Sequence, residues 1–166
     1  MGREIRRVPA NWEHPKDAKG DYIPLHDGFS ARLASWTEGK RQWDAGMRDN
    51  FRGGWIPRSG KEPEMSFEEW DGKQPVPEDY MPEWPEEQKT HLMMYETCSE
   101  GTPISPAFAT PEELAHWLAN TGASAFGGET ATYEQWLDTC KRGYAPSAFL
   151  TSRGIESGVA GMANVK

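Results

Sequence analysis

The sequence predicts an α+β fold: a single domain over residues 1–166, with a small, mostly antiparallel sheet, about three helices and long Pro/Gly-rich loops. Three observations predict it. Apolar residues recur at helical spacing in three stretches, short β-type runs are bounded by turn residues, and 17 Gly and 13 Pro punctuate the remainder. A chain of about 150 residues removes roughly 68–70 % of its unfolded surface from water, so a core forms without a metal or disulfide staple.

Residues 4–8 form a short extended segment stopped by Pro9, and turn residues around Tyr22–Leu25 suggest a second strand, giving a hairpin-like start. From Ser30 to about Arg48, the side chains Leu33, Trp36, Trp43 and Met47 share one helical face, so this is the longest expected helix, weakened at Gly39. Residues 50–65 have no period and read as a loop. Ser66 and Glu69 have capping-box spacing, so a short helical turn buries Phe67 and Trp70. The following segment holds Pro75, Pro77, Pro82 and Pro85, which exclude a long helix or an interior strand.

His91–Cys98 is bounded by polar turns and reads as a strand. Thr110, Pro111 and Glu113 supply an N-cap hydroxyl, a proline at the first helical position and an acid at the third. Leu114, Trp117 and Leu118 give that helix its buried face, and it ends at Asn120–Gly122. Thr132 and Gln135 repeat the capping logic for a helix burying Tyr133, Trp136, Leu137 and Cys140, which stops at Gly143. Ser147–Thr151 is the last expected strand, and the small-residue tail within 154–166 is either frayed and flexible or docked late.

Charge is unevenly spread. Residues 1–61 hold 12 Lys/Arg against 8 Asp/Glu, whereas 62–166 hold 6 against 18. The Pro-rich segment 62–90 lies in an acidic block that repels nucleic acid and suits a basic protein surface. Its aromatics are hot-spot residue types, so Glu68, Glu69, Trp70, Tyr80, Trp84, Glu86 and Glu87 form the candidate partner-binding surface. Against that stands the plainer expectation that the aromatics clamp loops to the body. A basic patch from Arg3, Arg6, Arg7, Arg32, Lys40, Arg41, Arg48 and Arg52 is interleaved with acids, and nucleic acid is not an expected partner.

Signals for chemistry are sparse. The histidines (His14, His26, His91, His116) and cysteines (Cys98, Cys140) show no metal-ligand spacing, so neither metal nor cofactor is expected. No catalytic residue stands out, and binding is preferred to catalysis. The turn Ser99–Pro106 combines hydroxyls, glycine and prolines, and its Ser99, Gly101, Thr102 and Ser105 are the alternative site, for a nucleotide or phosphorylated metabolite. TGASAFGG at 121–128 is glycine-rich without a P-loop pattern. The longest apolar runs are far short of the ~20 residues that span a bilayer, so no membrane partner is expected. The opening MGREIRRVPANWEHPK has no apolar stretch, which makes the cytoplasm the expected compartment.

The strings REIRRVPANWEHPK, WDGKQPVPEDYMPEWPEEQKTHLMMYETCSEGTPISPAFATPEELAHWLANTGASAF and TATYEQWL resemble uncharacterised small accessory proteins of tailed bacteriophages and prophages, over about two thirds of the chain. The resemblance implies expression in a bacterial cytoplasm and carries no catalytic residues. Combined with the acidic block, it leads to the expectation of a phage accessory protein that modulates a bacterial host or defence protein.

Overall fold

The structure is a computed structural model that describes residues 2–97, 101–151 and 154–163. It is α+β, with small antiparallel sheets as the sequence predicts and, among the described residues, five helices rather than three. Its contacts fall into two compact units. The first comprises residues 1–25 and 84–166, the second 26–83.

The first unit is built on β1 (Arg3–Val8), which lies between β4 (His91–Glu96) and β5 (Tyr144–Ala145), antiparallel to both. Arg3 faces Glu96 and Val8 faces His91. The hairpin-like start is thereby corrected, since β1 pairs with β4 and Tyr22 makes only an isolated bridge to Lys16. Pro15 and Pro24 flank that bridge and lack the amide protons a longer ladder needs. Residues 101–108 run along the outer edge of β4. Glu96 N donates to Thr102 O (2.9 Å), Ile104 N to Met94 O (2.8 Å), and Leu92 and Phe108 exchange two bonds. This covers an edge that would otherwise present unpaired backbone groups.

Behind the sheet pack α3 (Pro111–Asn120) and α4 (Tyr133–Arg142), both starting where their caps predict. Thr110 Oγ1 accepts from Glu113 N, Thr132 and Gln135 close a full capping box, and Gly143 ends α4 at φ 93°. Met94, Leu114, Leu118 and Trp136 form the core. The expected strand after Pro146 is β6 (Ala148–Thr151), hairpinned with β7 (Gly154–Ser157). Of the two alternatives for the tail, residues 154–163 take the docked one: they form β7 and α5 (Gly158–Ala163), with Val159 in the core.

In the second unit α1 (Phe29–Asp44) ends before the predicted Arg48, at Ala45 and at Gly46 with φ 83°. Met47 and Arg48 then enter β2 (Met47–Asp49), which pairs with β3 (Trp55–Pro57) inside the stretch expected to be loop. Gly39 is helical, and the missing Cβ lets the Phe67 ring approach to where a methyl would sit 2.8 Å from its Cζ. The capping box on α2 (Phe67–Asp71) is present as predicted. Trp36, Trp43 and Phe67 make a separate small core, with Met65 and Trp70 packed against it. Gly28 offers α1 no side-chain cap. Glu83 supplies the missing acceptor, taking Ser30 N at 2.9 Å and Ser30 Oγ at 2.5 Å.

Candidate functional site

After β1 the chain turns at Pro9 and runs through Trp12 and His14 past the C-terminal end of β4, where Tyr95 is fully buried. Trp12 Nε1 donates to Tyr95 Oη at 3.2 Å. His14 Nε2 lies 2.6 Å from the Ile23 carbonyl, so that nitrogen is the donor. In the neutral ring Nδ1 must accept, and it lies 3.0 Å from Tyr95 Oη, which donates to it. The other face of this network is closed by Arg6, whose guanidinium sits 4.4 Å from the Tyr95 ring centre and donates to Leu25 O. Burial pushes the His14 pKa down, Arg6 adds to the effect, and the Ile23 carbonyl opposes it.

Above this network lies a cleft of about 780 Å³. Its walls include the rings of Trp12, His14 and Tyr22 and the side chain of Met93, with Glu13 and Lys16 as charged groups. Trp84 meets Trp12 edge to face at 4.8 Å, and the Lys16 ammonium lies 4.6 Å from the Tyr22 ring centre. Trp12 and His14 are therefore held from behind, and their ring faces are preset. Both His14 nitrogens are engaged and Tyr95 Oη is out of reach of solvent, so neither is placed to act as base or nucleophile.

The residues of the alternative site build structure. Ser99, like Cys98, lies outside the described residues. Gly101 has φ 54°, and a Cβ there would stand 2.4 Å from Leu25 O. Thr102 gives its carbonyl to β4. Ser105 is buried, its Oγ accepting from Met94 N at 2.9 Å and donating to Pro106 O at 2.8 Å. A hydroxyl so engaged has no proton left for an anion, and among the described residues this segment contributes Pro106 and Ala107 to the cleft described above.

The acidic aromatic residues are divided between the units. Glu68, Glu69, Trp70 and Tyr80 belong to the second, Trp84, Glu86 and Glu87 to the first. Glu69 accepts from Ser66 N and Oγ within the capping box, which holds its carboxyl below the usual range. Trp70 stacks on Trp43 at 5.5 Å, Tyr80 packs on His26 and Phe29, and Trp84 on Trp12. Glu86 pairs with Arg7 and Lys89. Glu68 and Glu87 are exposed and make no ion pair among the described residues. Part of the charge imbalance along the sequence is answered inside each unit: Arg7 meets Glu86, Arg32 meets Asp71 and Arg48 meets Glu62.

Among the described residues no three His, Cys, Asp or Glu side chains gather as a metal site, and no helix is long and apolar enough to cross a membrane. Sequence reasoning missed the Trp12, His14 and Tyr95 cluster. Its only local signal is the Trp-x-His spacing before Pro15, and the partner stands 81 residues away. Comparison with models of known protein families, with curated proteins and with solved structures found no match for this chain.

Proposed function

We propose that the protein acts by binding rather than by catalysis, and that the cleft above His14 receives a small ligand carrying a planar ring. The observation that carries this is a space of about 780 Å³ walled by the Trp12 and Tyr22 rings, with Trp12 held from behind by Tyr95 and both His14 nitrogens already engaged. That volume lies within the roughly 300–1,000 Å³ of small-molecule sites. Trp12 and His14, held by the Tyr95 hydroxyl, need little ordering on binding, which favours affinity. Glu13 and Lys16 add charged groups to its lining. The test is a thermal-shift screen of nucleosides, nucleotides and aromatic amino acids, with Trp12→Ala and Tyr22→Ala as controls. A ligand at 100 times its dissociation constant adds about 2.7 kcal/mol of stability. Absence of any shift across these classes, or a shift untouched by both variants, overturns the assignment.

A protein partner is the second proposal: a phage accessory protein acting in a bacterial cytoplasm on a host or defence protein. Its support is the resemblance together with the exposed carboxylates of Glu68 and Glu87, which no cation of the chain neutralises among the described residues. Affinity capture from a bacterial lysate, followed by native mass spectrometry, checks it. The captured protein should be lost on Glu68→Lys and Glu87→Lys substitution and at high salt. Retention by both variants argues against this surface.

A further inference from the structure

We infer that the ligand of the cleft above His14 is a zwitterion, of which an aromatic α-amino acid is the smallest form. This rests on the ring-binding reading of the cleft and selects among the ligands that reading admits. The charged groups of the lining are one carboxylate, Glu13, and one ammonium, Lys16. They stand three residues apart, yet among the described residues neither makes an ion pair, with the other or with a third group.

The backbone that carries them is tied down. Between them His14 is buried, with Nε2 2.6 Å from the Ile23 carbonyl, and Pro15 O accepts from Ile23 N at 3.1 Å. Lys16 bridges to Tyr22, and Asp17 closes the turn that follows, its Oδ1 accepting from Lys19 N and Asp21 N at 2.8 and 3.0 Å. The Lys16 ammonium itself lies over the Tyr22 ring, 4.6 Å from its centre, which holds the cation at the cleft wall.

Other charges nearby are engaged or turned elsewhere. Arg6, behind Tyr95, pairs with Glu4 at 2.7 Å and donates to Leu25 O. Asp17, Lys19 and Asp21 belong to the turn and do not line the cleft. A bound phosphate would therefore meet one ammonium and be repelled by Glu13, and an amine would meet Glu13 and be repelled by Lys16. A ligand carrying both charges on one carbon answers both groups, its ammonium to Glu13 and its carboxylate to Lys16. The ring it carries is an apolar one. Trp12 Nε1 and both His14 nitrogens are already engaged and offer nothing to the polar edge of a nucleobase, whereas an indole or phenyl ring asks for nothing there.

The experiment is isothermal titration calorimetry of the full chain with L-tryptophan, tryptamine, indolepropionate and adenosine at neutral pH. L-tryptophan should bind about fivefold more tightly than either singly charged analogue, the factor an exposed ion pair supplies at the upper end of its range. Glu13→Gln should weaken L-tryptophan about fivefold and leave indolepropionate no weaker. Lys16→Gln should weaken both L-tryptophan and indolepropionate and leave tryptamine no weaker. Both side chains are exposed, so neither variant disturbs folding. Equal affinity for L-tryptophan and its singly charged analogues, or affinity indifferent to either variant, overturns the inference. Tighter binding of adenosine, lost on Trp12→Ala, overturns it while the ring-binding reading stands. No binding of any probe overturns both.

Discussion

His14 Nε2 is 2.6 Å from the carbonyl oxygen of Ile23, and this contact decides which proton the buried ring carries. It follows that Nδ1 accepts from Tyr95, and a second proton on the ring has no acceptor ready for it. On protonation, Nδ1 would donate to Tyr95 Oη, which already takes Trp12 Nε1, and the tyrosine proton would have to turn to Met93 Sδ at 3.5 Å. Arg6 stands against the same tyrosine ring and repels the new charge.

Stability should therefore depend on pH through His14. Its folded pKa is lowered below the unfolded value of about 6.5, so between the two the unfolded chain binds the extra proton. The contribution is complete above pH ~6.5 and is lost as pH falls through that window toward the folded pKa. Urea unfolding of the parent protein at a series of pH values should show this loss. His14→Gln should be less stable at neutral pH and show a flatter profile across the window. An unchanged profile would mean that another group carries the titration.

Much of the fold was legible, for local reasons. Thr110, Pro111, Thr132 and Gln135 start α3 and α4 where they stand, because a cap involves residues no more than three apart. The β2–β3 hairpin escaped notice, since Asn50 and Phe51 form an unusual tip and each strand has only three residues. Glu83 capping α1 and Tyr95 gathering Trp12 and His14 are set by tertiary contacts 53 and 81 residues apart, and no spacing rule reaches that far. The partners of three acids in the acidic block, Arg7, Arg32 and Arg48, lie in an earlier and basic part of the sequence, and local composition does not show such pairing.

Gly101 and Gly143 should respond very differently to alanine. Both have positive φ, but a Cβ at Gly101 would stand 2.4 Å from the backbone oxygen of Leu25, while nothing lies within 4 Å of one at Gly143. Gly143→Ala should cost about 1 kcal/mol, the conformational part alone. Gly101→Ala adds a clash that no side-chain rotation relieves, and should cost at least about 2 kcal/mol more. Chemical denaturation measures both, and equal losses would show that residues 101–108 are not held against Leu25.

Cys140 should be inert while the protein is folded. Burial pushes its thiol up to about 12, with Glu112 adding to the shift, so almost no thiolate exists at neutral pH. In a Cys98→Ser background, a thiol-specific chromogenic reagent should label Cys140 only on unfolding, at a rate that follows added urea. Stoichiometric labelling within seconds in buffer would contradict the burial of α4.

Phe51 should be dispensable for folding. Replacing it with glycine relieves the left-handed backbone at φ 59° and removes a ring that is mostly in water. What is lost within the unit is one edge of contact with Trp70 at 6.2 Å. Relief of the strained conformation is worth about 1 kcal/mol, so Phe51→Gly should unfold at equal or higher urea than the parent. If it unfolds markedly earlier instead, the ring serves the core, and the strain at Phe51 is a consequence of packing.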